Sequence, residues 1–555
     1  MDRQMTFPQI IDSRGREQGD RIACRFFSGP ALISNDLTYG QLWATASMLA
    51  ERYREAGLEG QRALLICRSQ RCFVIAFYAC LIAGVVAIPS AVPKRRNLVQ
   101  RLQLIAGDAG ACAVISDAIE LIDANGGFAG MRAFDLNSMA DSTSHSTSLP
   151  PSAPDSSKPA FLQYTSGSTG DPKGVVISHG NLVENCRIIA EAMELDSTSA
   201  LFTALPLFHD MGLVGGVLQM MFTGCSASFL PPVELVQYPE RWLRIISDYG
   251  ITVSGGPNFM YELAATAIRP EHLNGVDLSR WRVAFCGAEP IRASTIERFT
   301  ARFRDVGFSP GAFYPCYGMA ESTLFITGGY VGAPPVFCEH TTGRVVGCGV
   351  PRGDTQLDIV DPQTQQRVRQ GEVGEIWVRG TSVATGYWGR PDLSLTAFQA
   401  RLAGDDAPDG GYLRTGDLGF VLDGSLFVTG RLKDLIVLNG KKIAPQDIEE
   451  HCERAHTALR QGGGAAFAVE DAGVERLVIV FEVKREWVRR FDAHAEVRHA
   501  MKSIVMNEFA LPVSEVALLP PGALPSTSSG KVRRSKCRLD YLDGTLERIE
   551  ADAVA

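Results

Sequence analysis

Residues 164–174 read YTSGSTGDPKG, and this stretch decides how the rest of the chain is interpreted. It combines hydroxyl side chains, glycines and a lysine: Thr165, Ser166, Gly167, Ser168, Thr169, Gly170 and Lys173. Glycine lets main-chain N–H groups turn inward, the hydroxyls donate further hydrogen bonds, and lysine supplies positive charge. The pattern predicts a loop that wraps the oxygens of a polyphosphate. It lacks the spacing of a Walker loop. Taken alone, such a stretch has an alternative interpretation as an exposed Gly/Ser turn.

The segments around this loop predict an α/β fold. Apolar runs such as ALLIC, AVISD, GVVIS and RVAFCG alternate with amphipathic helical stretches, which favours layered sheets of mainly parallel strands. From about residue 345 to 432, shorter β-rich segments predict a more antiparallel subdomain. Beyond it, a helical pattern from Pro445 to Arg454 and the runs AFAVE and LVIVFEV predict a compact α+β unit. We therefore divide the chain into a large N-terminal domain, 1–432, and a small C-terminal domain, 433–555.

Bulk composition excludes several classes of protein. The chain has 555 residues, too many for a single compact core, with 45% apolar and 21% charged residues. A net charge of −8 argues against a general binder of nucleic acids or anionic membranes. The thirteen cysteines form no C-x-x-C pair, so we expect no zinc site but reduced thiols in a cytoplasmic protein. The first residues, MDRQMTFPQI, contain no apolar signal-peptide run.

One segment imitates a membrane span. Residues 72–88 are uncharged, but Gly84 interrupts the segment, Pro89 ends it, and its length is at the lower limit for spanning a bilayer. We predict instead a buried helix at about 72–83 followed by a short buried strand, VVAI. The Ser/Pro/Asp-rich stretch 138–158 is typical of an exposed linker.

Further motifs follow the loop in a fixed order. They are LPLFHDMGL (205–213), FCGAEP (285–290), YGMAEST (317–323), GYW (386–388), YLRTGDLG (412–419), GRLKDLIVLNGKKIAPQDIE (430–449) and PSTSSGKVRR (525–534). Over nearly the whole chain this set resembles the adenylate-forming superfamily of acyl-CoA synthetases, luciferases and peptide-synthetase adenylation domains. The strings PLFHDMGL, GAEPI and PQDIE, and the ending SSGKVRRSKCR, resemble its fatty acyl-AMP ligase branch.

The resemblance implies a two-step reaction. A fatty acid is activated with ATP and Mg²⁺ to acyl-AMP, pyrophosphate leaves, and the acyl group passes to the phosphopantetheine arm of an acyl carrier protein. No carrier-domain serine motif follows residue 540, so the holo-carrier is expected to be a separate chain. The resemblance also implies that the domain from residue 433 onward is a mobile lid, which we call the lid, with its hinge at Lys433. Rotation of a lid would suit a reaction that needs a closed site first and an open one later.

The motifs also supply candidate nucleotide ligands. Glu321, with Thr165 beside it, offers the oxygen donors that Mg²⁺ prefers; a carboxylate at a helix start is the alternative. Tyr317 offers a face for adenine, although a core tyrosine would look the same. Asp417 is suited to accept the ribose hydroxyls, with Arg431 donating from the other side, and both would otherwise be ordinary turn residues. The predicted nucleotide contacts also include Gly287, Ala288, Glu289, Gly318, Met319 and Ala320.

Two cationic or titratable residues are candidates for the chemical step. By resemblance, Lys531 reaches into the site and bridges the carboxylate and α-phosphate oxygens; a cation in a basic tail is the alternative. His209, by resemblance, packs near the entry of the acyl carboxylate and gates it, with a structural histidine as the alternative. Asp210 adjoins it, but no further ligands are spaced for a metal site. The presence of both Glu321 and Lys531 argues against a nonenzymatic binding module.

The motifs leave alternatives for the acceptor of the acyl group and for the acid that is activated. Fatty acyl-AMP ligases generally carry an insertion after the YGMAEST motif that is credited with disfavouring coenzyme A, and here that stretch is short. A coenzyme A ligase is therefore the main alternative. A peptide-synthetase adenylation domain would hold an aspartate in the pocket, whereas TVSGGPNFMYELA (252–264) has none. We expect an apolar acyl pocket that includes Leu213, Gly215 and Met260.

Overall fold

The computed structural model describes residues 5–93, 96–124, 126–128, 130–138, 155–165, 172–340, 343–404, 411–438, 441–471, 474–526 and 531–549. Several predicted features lie outside these residues. They are Ser166, Gly167, Ser168, Thr169 and Gly170 of the phosphate loop and residues 139–154 of the predicted linker.

The first part of the chain alternates helices and strands. The helices are α1 Phe7–Glu17, α2 Tyr39–Glu55, α3 Gln70–Ala83, α4 Arg96–Ala109 and α5 Ile119–Ala124. The strands are β1 Ile22–Ser28, β2 Ile33–Thr38, β3 Arg62–Ile66, β4 Val86–Pro89, β5 Ala113–Ser116, β6 Arg132–Asp135, β7 Pro159–Thr165 and β8 Lys173–Ser178.

The middle of the chain continues the alternation. Its helices are α6 His179–Ala192, α7 Asp210–Gly212, α8 Gln219–Thr223, α9 Pro232–Gln237, α10 Glu240–Asp248, α11 Asn258–Ala267 and α12 Ala293–Phe303, with a π-helix at Leu213–Leu218. Its strands are β9 Ala200–Thr203, β10 Ser226–Phe229, β11 Val253–Gly256, β12 Val283–Cys286, β13 Phe313–Gly318, β14 Phe325–Gly328, β15 Phe337–His340, β16 Gly343–Val346 and β17 Val350–Pro351.

Two large sheets organise these elements. One has the strand order β17-β14-β13-β12-β11-β9-β10-β1-β2, and the other has the order β6-β5-β3-β4-β7-β8. The central strands of each sheet pair in parallel, while β2, β8, β14 and β17 join antiparallel at the edges. The predicted α/β layering with mainly parallel strands is therefore confirmed.

The segment that imitates a membrane span is a buried helix. The Ser69 side chain caps α3 by accepting a hydrogen bond from the Cys72 N–H at 3.3 Å, and Gly84 ends the helix at φ +72°. Every residue from Phe73 to Ala83 is buried, and the chain then enters the fully buried strand β4. The predicted helix and strand are confirmed. Within the described residues, we find no helix with both the length and the apolar character required to cross a bilayer.

An aromatic cluster supports the strands that later carry site residues. Trp242 and Trp281 meet edge to face at 5.3 Å, and Phe299 of α12 packs against both. The Trp242 indole N–H donates to the Ser254 hydroxyl on β11 at 2.8 Å, so its polar atom is satisfied inside the core. The carboxyl ends of β11 and β12 are thus held by well-packed rings.

The segment that follows is antiparallel, as predicted. It contains β18 Gln356–Val360, β19 Gly374–Arg379, α13 Pro391–Phe398, β20 Leu413–Leu422 and β21 Ser425–Arg431. The four strands pair in that order. Asp423 and Gly424 turn the β20–β21 hairpin with positive φ values of 48° and 80°, as a tight two-residue turn requires.

The C-terminal part forms the predicted α+β unit. Its elements are β22 Ile436–Leu438, β23 Lys441–Ile443, α14 Pro445–Ala455, β24 Leu459–Asp471, β25 Val474–Val483, α15 Phe491–Phe509, β26 Val513–Leu519 and α16 Arg534–Leu542. Strands β24, β25 and β26 form a sheet against which α14 and α15 pack through an apolar cluster. The 3₁₀ turn Leu432–Asp434 precedes this unit and contains the exposed Lys433. The domain boundary and the hinge stay predictions.

Candidate active site

Both ends of the predicted phosphate loop are anchored in one strand pair. Thr165 ends β7, and Lys173 begins β8 directly opposite it. The Lys173 ammonium nitrogen lies 5.6 Å from the centre of the Tyr387 ring, which is a cation–π contact. The Lys173 end of the loop therefore lies next to Tyr387.

The GYW segment, residues 386–388, runs along the outer side of β8. The Val176 N–H donates to the Gly386 carbonyl at 2.9 Å, which fixes the segment against the strand. The Tyr387 hydroxyl donates to Oε1 of Glu321 at 2.9 Å. One tyrosine thus contacts both the lysine of the phosphate loop and the predicted metal ligand.

Glu321 provides a carboxylate suited to a hard cation. It lies in the 3₁₀ turn Ala320–Ser322 after β13, and burial raises its pKa, partly offset by the hydrogen bond from Tyr387 and the charge of Arg431. Among the described residues, no arginine, lysine or histidine forms an ion pair with it. A partly buried carboxylate without a cationic partner is unfavourable, so a bound Mg²⁺ fits the chemistry of this position.

The rest of a magnesium coordination shell would come from substrate and water. Within the described ranges, no group of three or more His, Cys, Asp or Glu side chains is placed to hold a metal. Mg²⁺ commonly binds through one or two protein oxygens together with phosphate oxygens and water. Glu321 and the hydroxyl of Thr165, at the start of the phosphate loop, are consistent with that mode.

Tyr317, Asp417 and Arg431 form a hydrogen-bonded row. The Tyr317 hydroxyl donates to Oδ2 of Asp417 at 2.8 Å, and Nε of Arg431 donates to Oδ1 at 2.9 Å. Asp417 and Arg431 are register partners on β20 and β21, so the hairpin itself sets this contact. Each carboxylate oxygen of Asp417 retains a second lone pair, which leaves capacity to accept a hydroxyl from a ligand.

The turn after β12 is tight and strained. A Cβ at Gly287 would lie 2.9 Å from the Cys316 carbonyl oxygen, so glycine lets β12 and β13 approach. Ala288 follows with φ +68°, a left-handed conformation that costs an L-residue about 1–2 kcal/mol. Glu289 accepts a hydrogen bond from the Phe259 N–H at 2.7 Å. Strain of this kind concentrates at functional sites.

The residues after Tyr317 are also sterically constrained. A Cβ at Gly318 would lie 1.8 Å from the Leu324 carbonyl oxygen, so only glycine fits there. The Met319 sulfur lies 4.0 Å from the Tyr317 hydroxyl, and Ala320 is buried. These residues shape the turn that presents Glu321.

His209 lies just before α7 and the π-helix. Burial lowers its pKa, and the nearby charges of Lys531 and Arg101 lower it further against the opposing effect of Asp210. The imidazole is therefore neutral at physiological pH. π-Helices are rare in proteins, and those that occur are often found at functional sites.

A small apolar cavity of about 10 Å³, enough for about one water molecule, lies beside the π-helix. Its lining includes Thr203, Met211, Gly215, Gly216 and Phe285. Of the three predicted pocket residues, Gly215 lines this cavity, whereas Leu213 and Met260 are buried in adjoining apolar clusters. The Met260 sulfur fills the space that a Cβ at Gly256 would need, 2.2 Å away.

Lys531 of the lid lies within the same site. Its pKa is lowered, first by burial and then by Arg431, while Asp210, Asp417 and Glu289 act in the opposite direction. Those neighbours belong to different motifs of the sequence, so the structure brings the HDMGL, GAE and TGD segments together around one ammonium group.

Two bidentate ion pairs hold the lid segment in place. Arg534, three residues after Lys531, donates to Glu449 of α14 at 2.7 and 2.6 Å. Arg292, just before α12, donates to Glu453 of α14 at 2.7 and 3.0 Å. The first pair lies within the lid, and the second crosses from the N-terminal part to the lid.

Comparison with known proteins identifies the family. A family model described as AMP-binding enzyme matches residues 11–388, and one described as Disco-interacting protein 2-like, AMP domain, matches residues 433–551. The chain belongs to the AMP-binding enzyme family. The predicted membership of the adenylate-forming superfamily is thus confirmed, and enzymes of this family use ATP.

Individual relatives of this AMP-binding enzyme are fatty-acid ligases. The medium-chain fatty acid–acyl carrier protein ligase JamA of Moorena producens is 37% identical over 98% of this chain and 96% of its own. The long-chain fatty acid–AMP ligase FadD26 of Mycobacterium marinum is 31% identical over 98% of both chains. A Legionella pneumophila fatty acyl-adenylate ligase, solved with acyl adenylate and pyrophosphate, is 34% identical with a TM-score of 0.75 over 98% of this chain and 97% of that one. The predicted resemblance to fatty acyl-AMP ligases is confirmed.

Sequence reasoning missed two features of the site in this AMP-binding enzyme. Tyr387 was part of a recognised motif, GYW, but no role followed from the string alone. The Arg292–Glu453 pair joins positions 161 residues apart. The only sequence signal for it was that Arg292 comes directly after the GAEPI string.

Proposed function

We propose that this chain is a fatty acyl-AMP ligase that activates a fatty acid with ATP and then transfers the acyl group to a holo-acyl carrier protein. The observation that carries the proposal is the position of Lys531 among Asp210, Glu289, Asp417 and Arg431. Formation of an acyl-adenylate joins two anions, so it needs a cation such as Lys531 of the lid inside the nucleotide-binding site.

The first step joins two anions. An oxygen of the fatty-acid carboxylate attacks the α-phosphorus of ATP, the new C(O)–O–P linkage forms, and the bond from the α-phosphorus to the β-phosphate oxygen breaks. Pyrophosphate leaves with that electron pair. Lys531 donates hydrogen bonds to the carboxylate and α-phosphate oxygens as charge accumulates, and such preorganised donors are among the largest contributions to catalysis.

The remaining residues bind and orient the nucleotide. Asp417 accepts the ribose hydroxyls while Arg431 and Tyr317 fix its carboxylate. The phosphate loop and Lys173 hold the phosphates. Glu321 and Thr165 would hold Mg²⁺, whose charge neutralises the phosphates when it is bound.

The acyl chain would enter beside the π-helix. His209 immediately precedes α7, and the charge of Lys531 acts on its imidazole. A neutral imidazole there can contact the arriving carboxylate without adding charge. The lining next to Gly215 is mainly apolar, which suits an alkyl chain better than a charged amino acid. The cavity itself is only about 10 Å³, so the surrounding side chains must move apart to admit the chain.

The carrier-protein acceptor is supported by the relatives, because JamA is named as an acyl carrier protein ligase. Coenzyme A is the second candidate, and the short stretch after Glu321 is the observation that favours it. Each of the thirteen cysteines is a free thiol, which supports a reducing, cytoplasmic setting.

The test separates the two acceptors. The protein is incubated with ATP, Mg²⁺ and fatty acids of graded length, with coenzyme A in one reaction and a phosphopantetheinylated carrier protein in another, and mass spectrometry identifies the products. Acyl-AMP and acyl-carrier without acyl-CoA is the expected result. Efficient formation of acyl-CoA would show that coenzyme A is the acceptor instead of the carrier protein. Absence of acyl-AMP with every acid would contradict the proposal as a whole.

A further inference from the structure

Tyr387 makes two polar contacts that no role assigned so far explains. Its hydroxyl donates to Oε1 of Glu321 at 2.9 Å, and its ring faces the Lys173 ammonium nitrogen at 5.6 Å. Glu321 lies in the turn after β13 of one large sheet, whereas Lys173 begins β8 of the other, and the two belong to different motifs. The Tyr387 side chain contacts both.

The tyrosine itself is held firmly. Its N–H donates to the Ser394 hydroxyl of α13 at 2.9 Å, and its ring meets Phe398 edge to face at 5.1 Å. Its backbone forms a β-bridge with Val175 of β8. Main chain, ring and hydroxyl are all fixed, so Tyr387 can transmit a defined position to its two charged neighbours.

We propose that Tyr387 is a positioning residue that orients the Glu321 carboxylate toward the divalent cation and holds Lys173 toward the nucleotide phosphates. The inference rests on the proposed function, because it takes Glu321 and Lys173 as ligands of magnesium and ATP. The hydroxyl orients Glu321 and the ring holds Lys173, so different substitutions can remove one contribution without the other.

The hydroxyl acts on the metal. A carboxylate whose one oxygen is engaged by a fixed donor presents its other oxygen in a defined direction, and loss of such an outer partner typically costs 10–100-fold in metal affinity or activity. The ring acts on the lysine. At a partly exposed site, an aromatic face favours the bound position of a cation by about twofold to fivefold in the equilibrium constant.

The experiment measures binding rather than turnover. Affinity for a nonhydrolysable ATP analogue is determined by calorimetry without metal and during a Mg²⁺ titration, and Mn²⁺ binding is followed by electron paramagnetic resonance. Tyr387→Phe should bind the metal-free analogue like the wild type and require about tenfold more Mg²⁺ or Mn²⁺. Tyr387→Leu should show the same metal defect and also a twofold to fivefold loss of metal-free affinity.

A matched control is present in the chain. The Tyr412 hydroxyl donates to Oδ2 of Asp358 at 2.7 Å in the antiparallel segment, so Tyr412→Phe removes a comparable bond elsewhere. Its metal requirement should equal that of the wild type. An unchanged requirement in Tyr387→Phe, or an equal shift in Tyr412→Phe, would overturn the inference.

A further variant covers the case in which a Tyr387 substitution impairs folding. Lys173→Met removes the cation and leaves the Tyr387–Glu321 bond, so metal-free affinity should fall while the metal requirement stays at the wild-type value. A shifted requirement there would contradict the division of labour. A wild-type protein that binds Mg·ATP but forms no acyl-AMP would count against the proposed function alone.

Discussion

Breaking the ion pair between Arg292 and Glu453 should release the lid from the position seen here. The pair is bidentate at 2.7 and 3.0 Å, and the side chains are 24% and 9% exposed. Hydrogen bonds to charged groups contribute about 1.5–3 kcal/mol when partly buried. Because about 1.4 kcal/mol corresponds to a factor of ten, Arg292→Ala should shift the balance between docked and undocked lid by about tenfold to a hundredfold.

The two half-reactions report this shift in opposite ways. In the proposed mechanism, adenylation uses Lys531 in the site. Measured as exchange of labelled pyrophosphate into ATP, it should therefore slow by up to the same factor. Transfer from supplied acyl-AMP to a thiol acceptor is proposed to follow withdrawal of the lid, so it should be unchanged or faster. Glu453→Gln should behave similarly, and it retains an oxygen that can accept the Gly462 N–H, as Glu453 does at 2.6 Å.

A double-mutant cycle isolates the pair from its surroundings. Arg292→Ala, Glu453→Ala and their combination should show a coupling of about 1–3 kcal/mol in the adenylation half-reaction. Arg298→Ala is the control, because Arg298 lies on α12, the helix that Arg292 precedes, and pairs with Glu262 within the N-terminal part. A coupling below about 0.5 kcal/mol, or equal losses in both half-reactions, would refute the role of this ion pair in holding the lid.

Three further predictions concern the site itself. Lys531→Ala should reduce adenylation by about a hundredfold to a thousandfold yet retain transfer from supplied acyl-AMP; loss of both in a folded variant would contradict its assignment to the first step. Burial and Arg431 hold the pKa of Lys531 below its usual 10.5. Because the side chain donates as a cation only when protonated, adenylation should decline as pH rises through that lowered value. The pH–rate profile of Lys531→Arg should lose this alkaline decline. Gly215→Val should fill the cavity and lower kcat/KM for long acids relative to short ones by about tenfold or more, measured across an acyl-chain series; equal loss for all lengths would place the chain elsewhere.

Fold class was accessible from the sequence because the patterns are local. The alternation of apolar runs and amphipathic stretches predicts parallel strands, and the helix α3 with its terminal Gly84 was predicted within two residues of its observed ends. The later antiparallel segment could also be predicted, because the Asp423–Gly424 turn lies between two β-rich runs. Each of these features depends on residues close together in the chain.

Candidate site residues could be proposed from the sequence where a motif concentrates one chemistry. Glu321, Asp417 and Lys531 could be proposed because each sits in a short string of functional residue types. The contacts between strings were not accessible, because nothing in the sequence says that Tyr387 meets Glu321, 66 positions away. The same limit affected the acyl pocket: Met260 looked available in the linear order, but its sulfur fills the space over Gly256.

The Arg292 contact also changes how the short stretch after Glu321 bears on the acceptor. That stretch contains the β15–β16 hairpin, and Val345 of β16 forms a β-bridge with Arg292, whose side chain reaches Glu453 of the lid. A long insertion is therefore not needed to connect this position to the lid. Coenzyme A and a holo-carrier present the same phosphopantetheine thiol and differ in what lies beyond it, so discrimination between them depends on the space that the lid leaves at its edge. If Arg292 limits that space, Arg292→Ala should speed transfer from supplied acyl-AMP to coenzyme A more than transfer to the carrier protein. Equal gains in the two transfers would assign acceptor choice to the carrier's own docking surface.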